Sequence, residues 1–106
     1  MMTEKRLKDY RAVKAEVKHL EELRARFANV YGGPLTEIVE LYDRKIAEGR
    51  AELQAVEEAI NALPDVCREI CQLHYIQGLT LEAITWRVNY SIQSVNRYKK
   101  KALSLL

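Results

Sequence analysis

The sequence predicts an all-α protein in which an N-terminal antiparallel helical hairpin precedes a three-helix domain. Apolar residues recur every three or four positions over two long segments, residues 4–30 and 35–62. Aromatic residues make up only 8% of the chain, and it contains only 4 glycines and 2 prolines. A composition of this kind favours long helices over a β-sandwich or a β-barrel.

The first two helices are predicted to fold back on each other as a hairpin of the coiled-coil type. The apolar stripe of the first helix begins at Tyr10, and that of the second runs without a break from Val39 to Leu63. Gly32-Gly33-Pro34 separates the helices, because glycine admits positive φ and proline cannot continue a helix. Gly49 falls on the second stripe, so we expect either a close approach of the partner helix or a bend there.

The hairpin, residues 1–63, has two interpretations. It is either a solvated structural element or an element that joins copies of the chain into a homodimer or a higher homo-oligomer. Contacts between copies would come from apolar residues outside the main stripes, namely Leu23, Leu35 and Leu41. The sequence favours neither interpretation decisively.

Leu63-Pro64-Asp65 marks the boundary between the hairpin and a C-terminal domain, residues 64–106. Proline fits the first turn of a helix, so a third helix is predicted over residues 64–77. Gly78 then suits the left-handed conformation that commonly follows a helix end. The predicted core side chains of this stretch are Val66, Ile70, Leu73, either Ile76 or Gln77, and Leu79.

Two shorter helices are predicted over residues 81–88 and 92–105. Thr80 and Ser91 each precede one of them and suit N-caps, because a hydroxyl oxygen there accepts a hydrogen bond from the first helical turn. Asn89 lies in the intervening turn and tolerates left-handed φ. Two helices locked by apolar contacts across such a short turn form a helix-turn-helix. The predicted inward-facing residues are Leu81, Ile84, Val88, Ile92, Val95, Tyr98, Ala102 and Leu105.

Positive charge is concentrated in the C-terminal domain. The hairpin carries eleven Lys or Arg and twelve Asp or Glu, whereas residues 64–106 carry six and three. From Ser91 onward there are four positive charges and no acidic residue. A local basic cluster of this kind is the electrostatic feature that a phosphate-contacting element needs.

The outward face of the last helix is predicted to contact DNA. The predicted base contacts are Gln93, Asn96 and Arg97, because glutamine and asparagine pair with adenine and arginine pairs with guanine. The predicted phosphate contacts are Ser91, Ser94, Lys99, Lys100 and Lys101. The alternative is that the lysines only complement the helix dipole near a C-terminal helix end.

The run LPDVCREICQLHYIQGLTLEAITWRVNYSIQSVNRYKKKAL resembles region 4 of sigma-70-type RNA polymerase sigma factors. The resemblance covers residues 63–105 and includes the leucine-proline boundary, the helix ending in glycine and the S-x-x-x-V helix ending in A-L. It implies a DNA-binding transcriptional regulator of the sigma-like type carried by phages and prophages of Gram-positive bacteria. Double-stranded DNA and RNA polymerase are the partners that it implies.

Three features depart from that family. Asn89 stands in place of a usual glycine, and Ile92 stands where a polar residue is often found, which removes one DNA contact. Residues 1–63 do not resemble the sigma region that binds the −10 element. We therefore expect a regulator rather than a complete sigma factor.

Two other functions fit parts of the same pattern. One is DNA packaging, as in a phage small terminase subunit, in which a helix-turn-helix is joined to an oligomerising segment. The other is a protein-interaction module that binds RNA polymerase or a sigma factor rather than DNA. Trp86 and Tyr90 flank the turn, and they are interpreted either as packing residues or as an exposed contact for such a partner.

The sequence predicts no catalytic site, cofactor or metal ion. It shows no nucleophile beside a base, no paired carboxylates and no phosphate-binding glycine loop. Cys67, Cys71 and His74 share one side of a helix, but a closed zinc site needs a fourth ligand, so the cysteines are predicted to pack in the core. The charged N-terminus and the lack of an apolar run of about 18 residues predict a cytoplasmic protein without a membrane span.

Overall fold

In the computed structural model, which describes residues 2–30 and 36–106, the chain is all-helical and contains no strand. Its α-helices are α1 (Glu4–Val30), α2 (Thr36–Asn61), α3 (Asp65–Cys71), α4 (Leu81–Val88) and α5 (Ile92–Leu105). A π-helical turn, Gln72–Ile76, continues α3. When the π-helical turn is counted with α3, each helix bound lies within one residue of its predicted position; α3 itself ends at Cys71 rather than at the predicted residue 77. The predicted Gly32-Gly33-Pro34 turn and Leu35 lie outside the described residues.

The chain divides into two compact units. The first, here called the terminal unit, combines Met1–Arg11 with Ala55–Leu106, and the second, the hairpin unit, is Ala12–Gln54. Leu63-Pro64, which joins α2 to α3, therefore lies inside the terminal unit. None of the described helices combines the length and the apolar character that a membrane span requires.

One buried cluster of the terminal unit is built from α3, its π-helical turn, α4 and α5. Ile70, Leu73, Ile84 and Val95 form this cluster, and α5 packs against both α3 and α4. Partly buried side chains surround this cluster, namely Val66, Leu79, Leu81, Val88 and Tyr98. All of these core positions were predicted, but of the predicted pair Ile76 or Gln77 neither is in the cluster, since Ile76 is half-buried and Gln77 is exposed. The prediction for Leu105 is wrong, because it lies nearly one turn beyond Ala102, the last fully buried residue of α5, and is 54% exposed.

The first turns of α1 belong to the terminal unit. Leu7 is fully buried, although the predicted stripe began only at Tyr10. The Tyr75 hydroxyl donates a hydrogen bond of 2.9 Å to the Glu4 carboxylate, and the Lys99 ammonium lies 3.5 Å from it. The hydrogen bond from Tyr75 and the lysine charge outweigh partial burial, so the pKa of Glu4 is lowered.

In the hairpin unit, α1 and α2 pack against each other around the buried side chains of Val17 and Ile46. The pairs that join the two helices are Arg50 with Glu21 at 2.7 Å, Arg24 with Asp43, and the stacked rings of Phe27 and Tyr42. Exposed ion pairs contribute at most about 1 kcal/mol each, so apolar packing carries most of the stability. Leu41 is 44% exposed and Leu23 is half-buried.

Gly49 lies where α1 and α2 approach closely. A Cβ atom at this position would overlap Cγ2 of Val17. Of the two expectations for Gly49, the close approach is therefore confirmed.

Gly49→Ala is expected to lower the free energy of unfolding by about 1 kcal/mol. Alanine has a helix propensity about 1 kcal/mol better than glycine, but overpacking against the stiff side chain of Val17 costs about 1–3 kcal/mol. Chemical denaturation of Gly49→Ala, Val17→Ala and the double variant measures the coupling. The double variant should be more stable than the sum of the single effects predicts, and strict additivity would contradict the contact. Ala47→Gly at an exposed position of the same helix calibrates the propensity effect.

Glu4→Gln is expected to remove a pH-dependent part of the stability. The folded state lowers the pKa of Glu4 below its ordinary value of 4.5. The ionised carboxylate therefore stabilises the fold above that ordinary value, and this contribution is lost as the pH falls through the lowered pKa. The difference in free energy of unfolding between wild type and Glu4→Gln should be constant above about pH 6 and should shrink toward about pH 3.

A difference that stays constant over that whole pH range would show that Glu4 is not stabilised in the folded state. Asp9→Asn neutralises an exposed carboxylate of α1 and serves as the matched control. Tyr75→Phe removes the hydrogen-bond donor to Glu4, so it should reduce the pH dependence that wild type shows.

Candidate functional site

The rotation of α5 about its axis decides which of its side chains reach solvent. Val95 and Ala102, which lie two turns apart on one face, are fully buried. On the opposite face, positions i, i+3, i+4 and i+7 are all exposed and are neighbours on the helix surface. These residues are Gln93, Asn96, Arg97 and Lys100. The three predicted base-contact residues therefore share one exposed surface, which we call the α5 face.

The turn between α4 and α5 fixes the direction in which α5 leaves α4. Asn89 has φ of 57°, and its N–H donates to the Thr85 carbonyl at 3.1 Å. The Ser91 hydroxyl oxygen accepts a hydrogen bond of 3.2 Å from the N–H of Ser94, and Thr80 caps α4 in the same way. The left-handed residue and both N-caps are as the sequence predicts.

A wider helical turn and a left-handed glycine bring the chain from α3 to α4. The N–H of Gln77 donates to the Gln72 carbonyl at 3.0 Å, which is the five-residue spacing of a π-helix. Gly78 follows with φ of 77°. His74 Nδ1 lies 2.8 Å from the Leu79 carbonyl oxygen, which can only accept, so this nitrogen carries the hydrogen. Side-chain and backbone bonds together close the turn before α4.

The predicted phosphate-contact residues differ in their surroundings. Ser91 is exposed and donates its hydroxyl hydrogen to Oγ of the half-buried Ser94 at 3.1 Å. Lys100 and Lys101 are exposed. The side chain of Lys99 is only 19% exposed and pairs with Glu4 in the terminal unit. A phosphate would have to compete with that carboxylate for Lys99.

Aromatic side chains surround the turn. Tyr90 and Tyr98 lie with their ring centroids 5.4 Å apart, and the guanidinium of Arg97 lies 5.7 Å from the Tyr98 centroid. Tyr90 is 39% exposed, whereas Trp86 on the outer face of α4 is 86% exposed. The packing interpretation is therefore wrong for Trp86. Ile84, two residues earlier, faces the core, so Trp86 lies on the opposite side of α4 and faces solvent. The exposed residues border a shallow open groove, the aromatic groove, lined by Glu82, Trp86, Asn89 and Tyr90 among others.

Cys67 and Cys71 are buried free thiols, which confirms their predicted place in the core. Burial, reinforced by the neighbouring Cys67, raises the pKa of Cys71 to about 12, so its thiol stays protonated at neutral pH. Among the described residues, no group of three or more His, Cys, Asp and Glu side chains is placed to hold a metal ion.

Comparison of the chain with protein-family models, curated proteins and solved structures finds no match.

Asn89→Gly is expected to leave the free energy of unfolding unchanged or to raise it, whereas Asn89→Ala should lower it by about 1 kcal/mol. The reason is that an alanine Cβ is strained in the left-handed region, while glycine is not. Chemical denaturation checks both variants. Asn96→Ala, at an exposed helical position of α5, is the control and should change the stability by less than about 0.5 kcal/mol. Equal losses from glycine and alanine would mean that the side chain of Asn89, and not its φ, matters.

Proposed function

We propose that the chain is a sequence-specific DNA-binding transcriptional regulator that inserts α5 into the major groove of double-stranded DNA. In this proposal α4, the Asn89 turn and α5 form a helix-turn-helix, and α3 completes a three-helix domain. The observation that carries the proposal is the α5 face, on which Gln93, Asn96 and Arg97 are exposed together on a helix held from behind by the core.

The side chains of the α5 face match the hydrogen-bonding groups of base pairs. An arginine can donate two hydrogen bonds to O6 and N7 of guanine, and glutamine or asparagine can pair with N6 and N7 of adenine. An α-helix with its side chains is about 10–12 Å across, which fits a major groove about 12 Å wide, and the 14 residues of α5 give it a length of about 21 Å. Arg97 and Asn96 lie near the middle of this helix, and Gln93 lies one turn earlier.

Phosphate contacts would hold this helix in register on the duplex. Lys100 and Lys101 supply exposed positive charge for that purpose, and Ser91 and Ser94 supply hydroxyl groups at the start of α5. Lys99 joins them as a phosphate contact when its pair with Glu4 opens. Phosphate contacts add affinity for every sequence, so the base contacts carry the specificity.

The resemblance of residues 63–105 to sigma region 4 is a second support for this proposal. It suggests a sigma-like regulator of phage or prophage origin that acts in the cytoplasm. So few positive charges predict weak binding by a single domain at physiological salt. We therefore infer that two or more copies act together through residues 1–63, or that RNA polymerase assists binding.

Selection from a random pool of double-stranded DNA by the purified full-length chain should enrich one short motif. At that motif, Arg97→Ala should weaken binding by about 1–3 kcal/mol and relax the preference at one base pair, because a bidentate contact is lost. Lys100→Ala should weaken binding to all sequences similarly and reduce the salt slope by about 1. Binding isotherms at several salt concentrations measure both effects.

Arg87→Ala is the matched control, because it removes one exposed positive charge from α4 and leaves the α5 face intact. It should not change the preferred sequence. If no motif is enriched, or if Arg97→Ala binds the motif as wild type does at low salt, the proposed role of α5 is wrong.

A further inference from the structure

We infer that the aromatic groove beside Trp86 is a docking surface for a protein segment that carries an apolar side chain close to a lysine or an arginine. This inference goes beyond the proposed DNA contact. It does not depend on that proposal, because the groove is lined by α4, the turn and Ile92 and by none of the α5 face; Ser91 is the one residue that it shares with the proposed phosphate contacts.

Trp86 presents a large apolar surface to solvent. Its side chain is 86% exposed, although a tryptophan can bury about 150–250 Å² in a core or an interface. Tryptophan is also one of the residue types most enriched among those that dominate the binding energy of protein interfaces. The exposed indole is therefore suited to act as an anchor for a partner.

The fold does not depend on this indole. α4 is held to the core by Ile84, which is fully buried, and by the partly buried Leu81 and Val88. Trp86 lies on the opposite side of this helix from Ile84, one turn after Glu82. Removing the indole should therefore leave the core intact, and this makes the groove testable by substitution.

The Tyr90 wall and the backbone of the groove are held in place before any partner binds. Tyr90 forms the second aromatic wall, and its ring is held by the ring of Tyr98 at a centroid distance of 5.4 Å. The backbone between the two walls is fixed by the left-handed residue Asn89 and by the Ser91 cap. A surface that is already ordered loses little conformational freedom on binding, which favours affinity.

Glu82 indicates the charge of the partner. It is the only acidic residue after Glu69, whereas Arg87 and four further Lys or Arg follow it in the sequence. Its carboxylate stands one turn before Trp86 on the same face of α4, and both residues border the groove. A carboxylate beside the indole repels the phosphates of a nucleic acid and attracts a cation. The groove therefore favours a basic protein segment over DNA.

The test begins with a displayed library of random peptides of about twelve residues that lack tryptophan. The full chain is the target, and peptides that also bind Trp86→Ala are removed. Enriched peptides should combine an apolar side chain with a lysine or an arginine a few residues away. Because Trp86 is the only tryptophan of the chain, a synthetic copy of an enriched peptide should shift its fluorescence emission to shorter wavelength.

The variants are compared by the anisotropy of the labelled peptide. Trp86→Ala should weaken binding at least about tenfold, as the selection requires. The deciding variant is Glu82→Gln, which should weaken binding and reduce its dependence on salt. Arg87→Gln, the matched control, should bind at least as well as wild type. Circular dichroism and thermal unfolding show whether each variant is still folded, so that weaker binding can be assigned to a lost contact. They also measure any stability lost in Glu82→Gln, because Glu82 lies in the first turn of α4, where a negative charge interacts favourably with the helix dipole.

Failure to enrich any peptide, or equal binding by wild type and Glu82→Gln, would overturn the inference. The same fluorescence measurement is made with duplex DNA alone and with increasing concentrations of the chain alone. A shift to shorter wavelength in either titration, without peptide binding, would assign the groove to DNA or to a second copy instead. Loss of DNA binding in Arg97→Ala with unchanged peptide binding would show that the two surfaces are separate.

Discussion

The burial of Val95 against Ile70 and Ile84 is the contact on which the arrangement of α3, α4 and α5 depends. These side chains come from three different helices, so one small cluster sets the positions of α3, α4 and α5 together. Because helical side chains are fixed relative to one another, burying Val95 also decides which face of α5 reaches solvent. Ala102, buried two turns later, holds the same rotation along the helix.

The Asn89 turn separates two surfaces of different chemistry. The α5 face on one side is polar and basic, whereas the aromatic groove on the other combines indole and phenol rings with one carboxylate. The two acidic side chains are placed differently. Glu82 borders the aromatic groove, whereas Glu4 pairs with the largely buried Lys99 and leaves Lys100 and Lys101 exposed. The proposed DNA contact and the inferred protein contact are therefore assigned to surfaces of different chemistry.

Periodicity was enough to predict the helix bounds and the cluster around Val95, because both depend on local spacing and on apolar burial. Turn chemistry predicted Asn89 in the same way. The link from Glu4 to Tyr75 joins positions 71 residues apart, and the π-helical turn depends on packing, so neither follows from local pattern. The position of Trp86 opposite Ile84 on α4 could have predicted its exposure. The packing interpretation instead followed the general tendency of tryptophan to be buried. The sequence predicted that Gln93, Asn96 and Arg97 share one surface of α5. It could not predict that Lys99 pairs with Glu4, because these residues are far apart in the sequence and meet only in the folded chain.

Mapping the backbone amide resonances of the full chain during titration with its selected duplex tests the role of α5 most directly. The largest shifts are expected from residues 91–101, with smaller shifts for residues 12–54 and for the indole N–H of Trp86. Shifts that leave α5 unchanged and concentrate in the aromatic groove or in residues 12–54 would contradict the assignment of α5 as the recognition helix.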